Sequence, residues 1–374
     1  MTQPIEETWQ PARRIAVAWQ ELTACRQGPV RLLNAVVSKL QTRLRMTRML
    51  AMPSFFAVEV TNACNGECVL CPVGAGYRSR RIGFMPWDRF CRIVDEVSGY
   101  ARFIALYSWG EPFLHPRIYD MISYVNARAI HTKLSSNLHA FREEDAQRLM
   151  ETGLDELVVS LHGLSEETYR AYQPKHHIAE VLDKVKAMVD AKRRLGSEKP
   201  DIRLGFIATR HNEQEVATLP EFAASLGVGY LLTEVSLNLR FLPYDQHMNL
   251  RNADETTLRQ ERLALAEEWL PRAERYVNPY YRYMRAHGGG LPSLSEVRFP
   301  CSPPWYQMTI CWDGDVNLCC GSYGKRDSVG NVFDQSVRQV WNNRFYHAAR
   351  RCLCGKPRRG DPEVLCMRCC GMLL

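Results

Sequence analysis

Three cysteines, Cys64, Cys68 and Cys71, stand in the spacing Cys-x3-Cys-x2-Cys directly after a strand-like run, Phe55 to Val60. That loop decides how the rest of the chain reads. Three thiolates can hold three irons of a cubane 4Fe-4S cluster and leave the fourth iron open to a small molecule. Zinc is the competing ion, but it normally takes four ligands in two pairs. No fourth Cys or His lies nearby until Cys91, which sits in a helical stretch.

Composition narrows the setting. The chain has 374 residues, 46% hydrophobic and 24% charged, enough to bury a large core and to divide into a main domain with appendages. Fourteen cysteines without a secretory signal argue for metal or redox chemistry in a reducing cytosol rather than for disulfides. No run reaches the roughly 18 apolar residues of a membrane span. The net charge of +7 is mild and calls for no nucleic-acid partner.

Four stretches follow from patterning. Residues 1–53 read as a helical extension in which Arg13, Arg14, Arg31, Lys39, Arg43, Arg45 and Arg48 surround Ile15, Val17, Leu32, Leu33, Val36, Val37, Leu40 and Leu44. Such a segment can lie on a membrane surface; the expectation is that it packs its apolar face on the domain that follows. Residues 54–243 alternate apolar runs with helical patterns, the mark of βα units and a parallel sheet. Strands are expected at Phe55–Val60, Phe103–Tyr107, Thr132–Ser135, Glu156–Ser160, Ile202–Ala208 and Tyr230–Glu234, with helices at Trp87–Val97, Ile118–Ala127, Glu143–Glu151, Ile178–Leu195 and Glu213–Leu226. Residues 244–300 read as a linker with a charged helix around Thr256–Glu267, then Tyr276, Tyr280, Tyr281 and Tyr283 and the breaker Gly288-Gly-Gly290. The expectation there is a connecting helix and a mobile loop; a lid over substrate is the functional alternative.

The order of these features resembles the radical S-adenosylmethionine (SAM) enzymes. The cysteine loop is similar to their signature loop. Tyr107-Ser-Trp-Gly-Glu-Pro112 is similar to their Gly-Gly-Glu-Pro motif, with Trp109 in place of the first glycine and Gly110, Glu111 and Pro112 retained. Ser135-Ser-Asn137 and Ser160-Leu-His-Gly163 end the next two strands where relatives place polar groups near SAM. The resemblance implies an α/β fold with a partial (β/α)6 barrel, a 4Fe-4S cluster on Cys64, Cys68 and Cys71, and SAM held by Glu111 and its neighbours, with Ser135, Asn137 and Ser160 close by. It also implies a flavodoxin or ferredoxin-type electron donor.

Residues 301–374 hold nine of the fourteen cysteines. Cys301, Cys319, the late pair Cys366 and Cys369, Asp313-Gly-Asp315, Gly330-Asn-Val332 and Val340-Trp-Asn342 resemble the SPASM and twitch extensions of the same family. Four thiolates saturate a cubane. The resemblance therefore implies one auxiliary 4Fe-4S cluster on Cys301, Cys319, Cys366 and Cys369, with Cys352 and Cys354 as a remnant of a second; a structural zinc on the same four ligands is the alternative. The remaining thiols include Cys311 and Cys320, candidate hydrogen donors if the reaction inverts a centre. The expected activity is oxidation or epimerisation at a C–H bond of a small polar substrate, a sugar or aminocyclitol. Modification of a ribosomally made peptide is a second reading, and a non-catalytic electron carrier a third.

Overall fold

The computed structural model describes residues 28–77, 79–237, 254–290, 301–319 and 321–369. Helix α1 (Pro29–Arg43) precedes strand β1 (Phe55–Val58). Five βα alternations follow: α2 (Trp87–Val97), β2 (Phe103–Ala105), α3 (Ile118–Asn126), β3 (His131–Ser136), α4 (Ala146–Glu151), β4 (Glu156–Ser160), α5 (Glu166–Tyr172), α6 (Ile178–Arg194), β5 (Asp201–Ala208), α7 (Leu219–Ser225) and β6 (Gly229–Glu234). Then come α8 (Glu255–Trp269), α9 (Pro279–Ala286), α10 (Pro303–Tyr306), the hairpin strands β7 (Gln307–Ile310) and β8 (Val316–Asn317), and α11 (Val337–Trp341), α12 (Arg344–Leu353) and α13 (Leu365–Cys369).

All eight strands join one sheet in the order β6-β5-β4-β3-β2-β1-β7-β8. The six expected strands are present and pair in parallel, as a βα alternation demands. Two expected helices are shorter than the pattern suggested. Residues 143–145 form a 3-10 turn ahead of α4, and 213–215 form another ahead of α7. In the second case Pro220 sits in the first turn of α7, where its missing N–H costs nothing; inside a longer helix its ring would clash one turn back.

The sheet does not end with the barrel strands. Strand β7 pairs in parallel with β1, Phe55 opposite Gln307 through Val58 opposite Ile310, and β8 turns back antiparallel on β7. The cysteine-rich carboxy-terminal segment thus shares a backbone ladder with the strand that leads into the cysteine loop. Trp305, Met308, Ile310, Val340 and Trp341 are buried in the same apolar core as Phe56, Ile104 and Leu157.

Two expectations about the flanking segments are corrected. Helix α1 turns its polar side inward: Ser38 and Gln41 are buried, while Leu33, Val36 and Leu40 are exposed. The polar residues win that face because the surface beneath offers backbone groups to satisfy. Gln41 Oε1 accepts from the Leu50 and Ala51 amides, Asn34 bonds both backbone groups of Met52, and Arg31 donates to the carbonyls of Ser98, Arg128 and Ala129. The described part of the 244–300 linker is likewise packed. Trp269, Leu270, Val277 and Met284 form a second small core with Leu70 of the cysteine loop, against which Cys68 also packs.

One carboxylate ties these parts together. Glu59 follows β1 and is fully buried; Arg80 grips both its oxygens, at 2.7 and 3.0 Å. The Trp109 and Trp312 amides each approach it at 3.4 Å, one from the loop after β2 and one from the β7–β8 hairpin. Removing one member of a buried pair leaves an uncompensated charge and costs about 3–5 kcal/mol, whereas removing both is far milder. Arg80→Met should therefore lower the apparent unfolding midpoint of the loaded protein sharply. Adding Glu59→Gln to it should recover much of the loss, as differential scanning fluorimetry would register.

Candidate active site

The cysteine loop leaves the carboxyl end of β1, where ligands of parallel barrels gather. Cys64, Cys68 and Cys71 lie close enough that each of Cys64 and Cys71 pushes the Cys68 thiol up, after the larger effect of burial. Burial likewise raises Cys64, to about 11, and Cys71. The three therefore stand as thiols until a cation takes the place of their protons. Two glycines make room. A side chain at Gly66 would sit 3.6 Å from both Cys64 and Cys68 Sγ, in the space between the thiols, and one at Gly74 would meet the Cys68 backbone at 2.5 Å.

The loop is braced from α5 and α6. His176 donates from Nε2 to the Asn65 carbonyl at 3.1 Å, and its ring stacks on His139 at 3.6 Å. His139 has both ring nitrogens engaged, with Glu180 at 3.0 Å and the Tyr169 hydroxyl at 2.7 Å, so it acts as a strut. Asn137 Nδ2 donates to Asn65 Oδ1 at 3.0 Å from the end of β3.

The loop after β2 is pressed against the same place. Gly110 has φ +133°, and a Cβ there would lie 2.3 Å from the Thr61 carbonyl. Only glycine allows that approach. The Glu111 amide then donates to the Ala63 carbonyl at 2.8 Å. Trp109, the departure from the family motif, points away: its indole N–H donates to the Ser322 carbonyl at 2.7 Å and so latches the barrel to the carboxy-terminal domain.

Glu111 is buried and acts as a clamp within the protein. One oxygen accepts from Ser136 Oγ at 2.7 Å and the Phe113 amide at 3.1 Å, the other from the Asn137 amide at 2.8 Å. Burial raises its carboxyl to about 7 against these bonds. A carboxylate has about four lone-pair sites, so three are used before any ligand arrives. Pro112 opens the short 3-10 turn that Glu111 caps. Ser136, between Ser135 and Asn137, is thus the serine that reaches Glu111. Ser135 lies on the less buried face of β3, and Ser160 closes β4.

In the carboxy-terminal domain Cys301 stands just before α10, Cys319 just after β8, and Cys366 and Cys369 on α13. Helices α10 and α13 both pack on α12. Burial, then Cys319 and Cys366 among its neighbours, raises the Tyr346 phenol of α12, so these two cysteines share one surrounding. Cys352 is buried and Cys354 donates to the Arg45 carbonyl at 3.4 Å. Cys311 is 1% exposed at the end of β7, its Sγ accepting from Asn317 Nδ2 at 3.4 Å. Cys320 lies outside the described residues.

Comparison with known proteins matches this geometry. A model of the radical SAM superfamily fits residues 58–198, and a model of the SPASM iron-sulfur cluster-binding domain fits residues 301–370. This chain is a radical SAM protein with a SPASM domain. It is similar to the tungsten-containing aldehyde ferredoxin oxidoreductase cofactor-modifying protein of Pyrococcus furiosus, 24% identical over 78% of this chain and 82% of that one. It is also similar to the mycofactocin maturase MftC of Mycobacterium ulcerans, at 26% over 76% and 73%. The AdoMet-dependent heme synthase of Methanosarcina barkeri matches at 25% over 87% and 89%. The crystal structure of Streptococcus suis SuiB bound to S-adenosylmethionine shares the fold, with a TM-score of 0.58 at 14% identity, covering 91% of this chain and 78% of that one.

A radical SAM domain implies a 4Fe-4S cluster with SAM, and a SPASM domain implies auxiliary iron-sulfur clusters. The convergent, glycine-cradled thiols of the β1 loop fit the first of these. Replacing Cys64, Cys68 and Cys71 together by Ala should remove about four irons per chain, by iron assay, and end 5′-deoxyadenosine release. Glu111→Gln sets an amide N–H₂ against donors that now meet a carboxylate. Hydrogen bonds to a charged acceptor are worth about 1.5–3 kcal/mol. With the remaining lone-pair site of Glu111 accepting from the SAM ammonium, SAM affinity should fall roughly ten- to a hundred-fold in Glu111→Gln with iron content unchanged, measured by titration of the anaerobically reconstituted protein.

Proposed function

We propose that this radical SAM enzyme oxidises a C–H centre of a small polar substrate, with a sugar or aminocyclitol as the leading class. The observation that carries the reading is the pairing of β7 with β1, which joins the strand leading to Cys64, Cys68 and Cys71 to the hairpin that Cys301 and Cys319 flank. When bound, the clusters and SAM supply a 5′-deoxyadenosyl radical and a one-electron acceptor. Cys64, Cys68 and Cys71 would hold the first cluster, and Cys301, Cys319, Cys366 and Cys369 the second. A carbon bearing a hydroxyl or amine that loses a hydrogen atom, then a proton and an electron, becomes a ketone or imine.

The chain's own residues support a polar ligand. At the carboxyl ends of β2 and β4, Ser108 Oγ and His162 Nδ1 are buried and find no hydrogen-bond partner among the described residues. Such atoms are costly unless something satisfies them, and hydroxyls or amines of a substrate would. Burial holds the His162 imidazole down to about 4, so it is neutral and can accept as well as donate. Its ring meets Tyr172 edge-on at 4.6 Å, and Tyr172 in turn meets Trp269 of α8 at 6.0 Å. The linker helix thereby adds an aromatic wall beside the strand ends.

Oxidation is favoured over epimerisation because inversion needs an accessible, unengaged thiol, and the candidate donors among the described residues do not offer one. Cys311 and Cys352 are buried, and Cys354 is spent on a backbone carbonyl. The second reading, modification of a ribosomally made peptide, draws on the maturase name of one relative. Both are tested by anaerobic turnover in deuterium oxide with free and nucleotide-linked sugars and cyclitols, against a panel of short peptides, following 5′-deoxyadenosine and product mass. The expected product is a carbohydrate two mass units lighter than its substrate and free of deuterium at the reacting carbon. One deuterium at that carbon would establish epimerisation instead. Stimulation by peptides alone would overturn the substrate class.

A further inference from the structure

Helix α1 is built the wrong way round for an ordinary surface helix. Its polar side chains hold it to the protein through the bonds of Arg31, Asn34, Ser38 and Gln41. Its apolar side chains face out: Leu33 is 65% exposed, Val36 55%, Leu40 56% and Leu44 62%. At 3.6 residues per turn these four positions fall within an arc of about 80°, a continuous stripe along the helix. Of the fourteen exposed large hydrophobic side chains among the described residues, eight lie between Val30 and Leu50, so this patch is where the molecule concentrates them.

The flank of the stripe is basic. Lys39, Arg43 and Arg48 are exposed, and no ion pair to them occurs among the described residues. From residue 22 to residue 58 the chain carries no Asp or Glu at all, against Arg26, Arg31, Lys39, Arg43, Arg45 and Arg48. An apolar stripe bordered by unopposed cations fits a surface that is apolar just beneath a layer of negative charge. Anionic phospholipid is such a surface; an amphipathic helix of this kind lies in the headgroup plane with its apolar side sunk about 5–10 Å. A protein partner would need a matching apolar groove rimmed with acid, and α1 presents a ridge.

Placement agrees. Arg31 reaches the carbonyls of Ser98, Arg128 and Ala129, in the turns that lead into β2 and β3, and Ser38 reaches Trp305, just ahead of β7. Helix α1 therefore covers the end of the sheet where strands begin, opposite the cysteine loop at the end where they finish. A surface docked on it leaves the active site open. We propose that the outward face of α1 binds the enzyme to membranes containing anionic phospholipid.

The test is flotation of the full-length, cluster-loaded protein with two sets of vesicles, phosphatidylcholine alone and phosphatidylcholine with about one-third phosphatidylglycerol. The protein should float with the anionic vesicles and hardly at all with the neutral ones. The triple variant L33S/V36S/L40S should lose flotation while keeping its iron content and SAM cleavage, since these side chains are exposed and outside the site. The variant K39Q/R43Q/R48Q should bind roughly a hundred-fold more weakly, about a factor of five per basic group near an anionic surface. Failure of the wild type to float overturns the proposal, as does equal flotation with both vesicle sets or indifference to both variants. If light scattering finds a dimer that L33S/V36S/L40S dissociates, and no flotation, the face belongs to a second copy and the proposal falls.

Discussion

The buried carboxylate of Glu59 is the point at which three separate stretches of chain are held in register. It stands between the end of β1 and the cysteine loop, and its oxygens receive the Arg80 guanidinium, the Trp109 amide and the Trp312 amide. Each donor belongs to a different piece: the return of the cysteine loop, the loop carrying Glu111, and the hairpin of the SPASM domain. A carboxylate with no exposure must be compensated or expelled. That requirement makes the three loops converge. The same logic is repeated one layer out, where Glu111 gathers Ser136, Asn137 and Phe113.

Two buried acids thus organise a site whose chemistry depends on bound groups. The glycines at 66, 74 and 110 are the steric counterpart, because each allows backbone to come where a Cβ would collide or crowd a thiol. Trp109 shows how the family pattern can change without loss of the loop. Its backbone is held by Glu59 and its indole by Ser322, so the side chain is used to lock two domains together.

Much of this was legible in the sequence, and the failures have physical causes. The six barrel strands were visible because each is a short apolar run between helical periods, and the cysteine loop because its spacing is local. The pairing of β7 with β1 left no local trace: its partners lie about 250 residues apart, and a four-residue strand among cysteines has no distinctive pattern. That Ser136 is the serine facing Glu111 was legible in the strand period. Strand parity places residue 136 on the face of Leu134 and Thr132, which are buried. Helix α1 was misjudged because periodicity reveals that a helix has two faces but not which one meets the protein. That depended on free carbonyls at Ser98, Arg128, Ala129 and Met52, which no pattern in the helix encodes.

The distance in sequence between β1 and β7 also orders events in time. As the chain leaves the ribosome, β1 and its cysteines emerge early, but one edge of β1 has no partner until Gln307–Ile310 has been made. Pairings so far apart close slowly because of the loop entropy they must overcome. Until then an apolar strand lies open beside three reducing thiols, a combination prone both to aggregation and to stray metal. A chain truncated before residue 307 would keep that edge of β1 open beside its cysteines for good, so the carboxy-terminal hairpin is the cover of the cysteine loop's own strand and not a detachable appendage.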